Sequence, residues 1–462
     1  MNRVFSLGKL AAFKLFFVVF FLLVCQSSYL YAKNKKAEPI FKIKLGDKHD
    51  KIKIVLPDGG RVLDASGKRV QGFRKRGVFE RNLKNHRGRQ RTPLNFISNN
   101  GLVEFNGKTY RGSLTAHFKK DHVVIVNNVA VEDYLRGVVG GEMSSLAPLE
   151  SLKSQAVIAR TYAFAGRHRH KDENAELCDS THCQVYFGIE AERKSVDLAV
   201  AATRSITMLY DGNHAETLYH STCGGETSDS SSVFGGTFKP WLRRVQCSFC
   251  ENAPNYRWSK VISLDMMRKV LTNEKINFDA VTDIEIVSPS YMDIVEKIVF
   301  KTPTSNHEIK GSRFRSLFKL PSMTFVIADK DRRRQMLADS LSDMESSEAW
   351  RVNLQRNTLL SRQLFVQSAE GLHRASEPLG GWGVLSVQKI LKTSPKPQLQ
   401  DSFKSSVMSQ SSLDKISLFG RGYGHQVGLC QSGAIELGKR GWNYRQILSY
   451  YYSDVSLASL AY

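Results

Sequence analysis

Proline, acidic side chains and long apolar runs are all scarce in this sequence, and each shortage excludes something. Proline contributes 12 of 462 residues and glycine 33, which excludes collagen-like and low-complexity chains. Apolar residues still make up 42% and aromatics 10%, enough to build cores, so a wholly disordered basic tail is excluded as well. At roughly 150 residues per domain the length suggests two to three domains. No internal repeat is visible.

Acidic residues number 44 against 66 Lys and Arg, a formal charge of +22. The imbalance is local: Lys33 to Arg91 holds 19 Lys/Arg and 6 Asp/Glu, over half of the surplus. Such a stretch suits a polyanionic neighbour, whether nucleic acid, an anionic membrane face or an anionic wall polymer. A solvated, solubilising surface is the plainer alternative. The uninterrupted apolar run Leu15 to Cys25 has eleven residues, short of the about 20 that a membrane helix needs. Arg3, Lys9 and Lys14 precede it and Gln26-Ser27-Ser28 follow, the layout of an export signal over residues 1–32, cleaved or retained as an anchor. Export to the periplasm or cell envelope argues against nucleic acid. In an exported chain the six cysteines beyond Cys25 (Cys178, Cys183, Cys223, Cys247, Cys250 and Cys430) can pair or bind metal, and spacing does not select among fifteen pairings.

Residues 33–100 read as a basic β-rich region, with alternation at Phe41, Ile43 and Leu45 and again at Ile52 and Ile54. Three strands follow from Val103 to Val129, with Asn127-Asn128 as a turn pair and a short helix from Val131 to Gly137. Glu142 then falls on a glycine-rich turn, Gly140-Gly141. Pro148 suits the first turn of a long helix ending at Gly166. Its Leu149, Leu152, Ala156, Ala159, Arg160 and Ala163 recur at spacings of three and four, predicting one buried face. Helix over 264–271, strands near Ile284-Ile286 and Ile298-Phe300, and a helix from Gln431 to Leu437 complete the reading. Residues 329–415 stand apart as an insertion with a charged helix and a Ser/Pro/Gln-rich linker over 394–412.

Three blocks together resemble the SpoIID family of peptidoglycan lytic transglycosylases, which is also related to amidase-enhancer proteins. They are V-E-D-Y-L-R-G-V-V-G-G-E-M from Val131 with L-K-S-Q-A-V-I-A-R-T-Y-A-F from Leu152; C-Q-V-Y-F-G from Cys183 with Y-H-S-T-C-G-G-E-T from Tyr219; and G-R-G-Y-G-H-Q-V-G-L-C-Q-S-G-A from Gly420. G-S-R-F-R-S-L-F-K-L-P-S from Gly311 is similar to a fourth family segment. The likeness covers about 108–328 and 416–454. Ser144 stands where the family usually has Pro, and Cys430 where it usually has Ser.

The resemblance implies an α+β fold: mixed β-sheets with a few helices forming a glycan-binding cleft, in a catalytic domain of residues 101–328 and 416–462. It implies a lyase that cuts the MurNAc-GlcNAc bond of peptidoglycan strands, in cell division or a sporulation-like process, with an amidase or other wall enzyme as a possible partner. The family's catalytic carboxylate maps onto Glu142. One acid that protonates the leaving oxygen and then acts as base suffices when the sugar's own C6 hydroxyl attacks, whereas hydrolysis typically uses a second carboxylate. Buried Met143, Val138 and Val139 would wall such an acid. A capping carboxylate is the plainer reading of Glu142. Gln155, Arg160 and Tyr162 follow as substrate-binding candidates, with an ordinary salt-bridged Arg as the alternative for Arg160. His220, Ser221, Gly225 and His425 are candidates for lining the glycan cleft. For metal, the family implies zinc on Cys178, Cys183 and His170, with His168 or His182 as substitutes. Cys247-x2-Cys250 would complete a four-cysteine site or form its own disulfide.

Overall fold

The structure is a computed structural model that describes residues 37–82, 92–288, 293–328, 403–407 and 415–462. The expected export signal lies outside the described residues, as does the charged helix of the insertion. Among the described residues no helix is long and apolar enough to cross a membrane. Mixed sheets and helices make this an α+β protein. The chain divides into two units, one reaching to Glu216 and including Ser456–Tyr462, the other spanning Thr217–Val455. The basic strands on either side of residue 60 pair directly with those that follow residue 93, within one sheet.

The first unit is built on a nine-stranded sheet. Its strands are β1 (Ile40–His49), β2 (Lys51–Leu56), β3 (Gly60–Leu63), β4 (Arg69–Phe73), β5 (Gly77–Asn82), β6 (Leu94–Phe105), β7 (Lys108–Phe118), β8 (Val123–Ala130) and β9 (Leu177–Cys178). The order is β4-β3-β6-β7-β8-β1-β9, with β2 bridging β5 and β6. β1 runs antiparallel to β8, Ile40 opposite Ala130, and parallel to the short β9. Phe41, Ile43, Ile52 and Ile54 are buried while Lys42, Lys51 and Lys53 between them are exposed. These three lysines are thus on the outward half of the strand alternation, whereas Lys44 is buried and paired with Glu173 at 3.0 Å. Asn127-Asn128 is no turn: both lie within β8, and buried Asn127 donates to the carbonyls of Arg111 (2.8 Å) and Ser113 (3.1 Å). The turn chemistry sits instead at Asn106-Gly107, both at positive φ, between β6 and β7.

Three helices follow: α1 (Val131–Glu142), α2 (Leu149–Ala165) and α3 (Lys194–Ala202). Strands β10 (Ile206–Tyr210) and β11 (Asn213–His214) form a small sheet with the C-terminal Ser456–Ser459. α2 begins after Pro148 and is capped at Gly166, as read. Its burial is not one-sided: every residue from Ser154 to Ala163 is buried, and Leu149 is exposed. Small Ala, Ser and Thr side chains let neighbouring elements close around it, so the helix is a central rod.

That enclosure traps a charge. Arg160 is fully buried and makes a two-pronged contact with Glu132 of α1, at 2.6 and 3.1 Å, and a 3.1 Å bond to the Ile206 carbonyl. Glu132 also accepts from the Ser205 amide (3.1 Å) and the Tyr462 hydroxyl (2.6 Å). One carboxylate therefore ties α1, α2, β10 and the C-terminus together. Of the two readings of Arg160, the geometry is that of the salt-bridged one.

The second unit contains β12 (Tyr219–His220), α4 (Ser230–Phe234), β13 (Arg257–Ser263), α5 (Leu264–Asn273), β14 (Asp283–Ser288), β15 (Lys297–Lys301), β16 (Asn306–Lys310), α6 (Gly311–Phe318), β17 (Thr324–Ala328), β18 (Phe403–Val407), β19 (Lys415–Arg421), β20 (Leu429–Cys430), α7 (Gln431–Lys439) and α8 (Tyr444–Tyr451). β13, β19 and β17 form one sheet, β16, β15, β14 and β18 another, and β12 pairs parallel with β20. Ile262, Leu271, Ile286, Phe300, Phe325 and Leu418 belong to its core. β18 falls inside the stretch read as a linker, pairing Val407 with Ile284.

Removing one partner of a buried ion pair leaves the other charge stranded, at a cost of about 3–5 kcal/mol. Arg160→Ala is therefore expected to lower the unfolding free energy of the first unit by about that amount in denaturant titration, and a loss below about 1 kcal/mol would contradict the assigned role.

Candidate functional site

Glu142 is the last residue of α1, so Gly140-Gly141 are helical and do not form the turn read from the sequence. Their purpose is proximity. A methyl on Gly137 would stand 2.5 Å from the Tyr186 ring, one on Gly140 2.0 Å from the Ala191 carbonyl oxygen, and one on Gly141 3.1 Å from that of Val185. This bare face of α1 lets Val185 to Ala191 lie directly against the helix. The Val185 amide then donates to Glu142 Oε1 at 2.7 Å. Glu142 is partly exposed, whereas Val138, Val139 and Met143 are buried.

The same segment is fixed at both ends. The buried Tyr134 hydroxyl donates to Gln184 Oε1 at 3.3 Å, and the Tyr186 hydroxyl donates to Asn127 Oδ1 at 3.0 Å. Gly188, at φ 64°, crosses β7 so closely that a side chain would meet the Thr109 carbonyl at 2.3 Å. In the block C-Q-V-Y-F-G, Gln184, Val185 and Tyr186 are each hydrogen-bonded to a neighbouring element and Gly188 makes a close crossing, so the block acts as a strap.

Its first residue, Cys183, belongs to a cluster. The ligand atoms of His170, Cys178, His182 and Cys183 all lie within 4.8 Å of one another. Cys183 Sγ is 3.4 Å from His170 Nε2 and 3.5 Å from His182 Nδ1, and Cys178 Sγ is 3.7 Å from His182 Nδ1. His170 Nδ1 pairs with Glu173 Oε2 at 2.8 Å, which orients the ring and turns Nε2 toward the sulfurs. Hydrogen bonds from Cys183, then from Ser180 and His182, pull the Cys178 thiol down to about 3. The cluster can hold a metal. His182 joins His170 here and does not substitute for it.

Of the other candidates in this unit, Gln155 is fully buried in α2 and Arg160 is paired as described. Tyr162 is 5% exposed and its hydroxyl accepts from Arg169 at 2.6 Å.

His220, Ser221, Gly225 and His425 all lie in the second unit. His220 is buried, and its Nδ1 contacts the Val427 carbonyl at 3.1 Å. Burial, with His425 nearby, pushes its pKa down to about 3, so the ring is neutral. The His220 and His425 rings are 5.7 Å apart. Gly424, at φ 113°, makes this possible, because a side chain there would meet His220 Cβ at 2.8 Å. Ser221 is partly buried beside Thr222, 3.3 Å between hydroxyls, and Gly225 turns at φ 117°. His425 also borders a cleft of about 320 Å³ with Phe234, Arg315, Lys319 and Met323. The sequence reading passed over Gln426, which is buried at positive φ, accepts from Thr324 at 2.8 Å and donates to the Cys223 carbonyl at 2.5 Å.

Residues 119–210 match the family model described as Stage II sporulation protein, SpoIID. That span holds Glu142, the strap and the His/Cys cluster. Over that span the chain is similar to the SpoIID family. It is 26% identical over 355 residues to an uncharacterized protein of Brachyspira hyodysenteriae, covering 76% of this chain and 73% of that one. It is 25% identical over 379 residues to the amidase enhancer of Bacillus subtilis, covering 79% of this chain and 46% of the relative. With the stage II sporulation protein D of Bacillus subtilis the identity is 26% over 215 residues, covering 43% and 61%. The chain thus spans less than two thirds of the length of either Bacillus relative.

The strap's contact with α1 is testable at Gly140. Gly140→Ala is expected to cost about 1–3 kcal/mol, as overpacking does, and to speed amide exchange at Val185. Unchanged stability and exchange would contradict the close-approach account.

Proposed function

We propose that this protein is an exported enzyme that cleaves peptidoglycan glycan strands by lytic transglycosylation, with Glu142 as acid and then base. The observation that carries this is the placement of Glu142: a partly exposed carboxyl on a helix end, held by a backbone N–H within the family-matched span. Glu142 gives its proton to the glycosidic oxygen as the bond to C1 breaks. The carboxylate so formed takes the proton of the C6 hydroxyl as that oxygen closes on C1. A 1,6-anhydro ring results, no water is consumed, and Glu142 is returned to its starting form. The Val185 N–H holds Oε1 in place through both proton transfers.

His170, Cys178, His182 and Cys183 fit zinc, two thiols and two imidazoles being a tetrahedral donor set. Four protein donors close the coordination sphere, so bound zinc supplies a cross-link and no water activation. Cys183 is two residues from Val185, so such a cross-link fixes the strap that positions Glu142. The outward lysines of β1 and β2 supply a surface for an anionic wall polymer or membrane face.

A second reading is a non-catalytic protein that stimulates a wall amidase. It is favoured by the printed name of one relative, the amidase enhancer. Digestion of purified peptidoglycan, with and without stem peptides, followed by mass analysis separates the two. Anhydro-ended products that fall at least about a hundredfold with Glu142→Gln are expected, the lower end of the range for loss of a general acid–base. Products that persist with Glu142→Gln, or none from either protein, would overturn the catalytic reading.

A further inference from the structure

The second unit carries another sulfur cluster, which the chemistry proposed for Glu142 does not use. Cys223, Cys247, Cys250 and Cys430 place all four Sγ atoms within 4.8 Å of one another, and each residue is at most 1% exposed. They come from three separate stretches of chain. Cys223 follows β12, Cys247 and Cys250 flank a tight C-x2-C turn, and Cys430 closes β20 and caps α7. We propose that these four cysteines form a second metal site, a closed four-thiolate zinc centre separate from the His/Cys cluster of the first unit.

The geometry suits zinc. With Zn–S bonds near 2.3 Å, tetrahedral sulfurs stand about 3.8 Å apart. The Cys223 and Cys250 sulfurs are 3.3 Å apart, beyond the about 2.05 Å of a disulfide, and all four cysteines are free. The C-x2-C pair is a common zinc-binding spacing. The expectation that Cys247 and Cys250 would complete a site with Cys178 and Cys183, or bond to each other, is thereby corrected: their partners are Cys223 and Cys430.

N–H and O–H groups point at the sulfurs. Cys430 Sγ accepts from the Cys223 amide at 3.3 Å and from the Gly433 amide at 3.4 Å, at the start of the nine-residue α7. The Tyr451 hydroxyl lies 3.1 Å from Cys247 Sγ. Such N–H and O–H groups orient metal-bound sulfur and temper its charge. Gly433 keeps the space open, since a methyl there would stand 2.7 Å from Cys247 Sγ and 2.2 Å from the Tyr451 oxygen. Ordinary packing of cysteines as small apolar groups needs neither the donors nor four sulfurs within 4.8 Å of one another. Each thiol gives up its proton when zinc binds, so four protons leave per ion. Cys430, a departure from the family pattern, completes the set.

The site would staple stretches of chain that lie about two hundred residues apart. It fixes the β12–β20 pair, in which His220 stands opposite Cys430, and with it the loop carrying His425. Its role is positional.

Elemental analysis and native mass spectrometry of the full chain test this. A Cys178→Ala/Cys183→Ala variant removes the other cluster, and one zinc per chain is expected to remain. Adding Cys430→Ser should remove that zinc. Should the added substitution prevent folding, alkylation of the wild-type chain provides the reading. Cys223, Cys247, Cys250 and Cys430 should resist modification together and become reactive together when a chelator extracts the metal. No zinc in the first variant, iron in its place, or disulfides among these four cysteines in the unreduced wild-type chain would overturn the proposal.

Discussion

The hydrogen bond from the Val185 amide to Glu142 is the constraint on which the candidate site depends. A backbone donor cannot rotate away as a side chain can, so the position of the carboxyl is set by the path of the strap. That path has two causes. Three glycines strip one face of α1, and the residues on either side of Val185 are bonded to buried Tyr134 and Asn127. The His/Cys cluster includes the strap's first residue, so a metal held there would bear on Glu142 through the chain.

The helix presenting Glu142 carries a second carboxylate with the opposite task. Glu132, in its first turn, is buried, paired with Arg160 and surrounded by donors. Glu142, about 15 Å further along the helix axis, is partly exposed and meets a backbone amide. One end of the helix is anchored and the other is offered. The same residue type serves structure at one end and proposed chemistry at the other because burial and partners differ.

Much of the fold was legible. The alternation at Phe41, Ile43, Ile52 and Ile54 marked strands, and Pro148 and Gly166 bracketed the central helix. The failures have physical causes. Gly140-Gly141 looked like a turn because glycine is usually read for its backbone freedom, but here the missing side chain matters and φ is helical. Asn127-Asn128 looked like a turn until Asn127 was seen to satisfy two carbonyls inside the sheet. The one-sided pattern in α2 failed because alanine and serine are compatible with burial on every side. Glu142, His170, Cys178 and Cys183 were found through a family pattern, not through periodicity. Spacing marks His182 only as a substitute for His170, and it cannot group Cys223 with Cys430, because about two hundred residues separate them.

Part of the basic surplus, finally, stands on the outward side of strands whose other side is core, as at Lys42, Lys51 and Lys53. What it faces is secondary to the claim about Glu142, which is that bond cleavage consumes no water. Digestion of purified peptidoglycan in oxygen-18 water tests this most directly. The account predicts anhydro-ended products that carry no solvent oxygen at the cleaved sugar. Reducing-end products that carry one labelled oxygen at C1 of the cleaved sugar would show hydrolysis and contradict it.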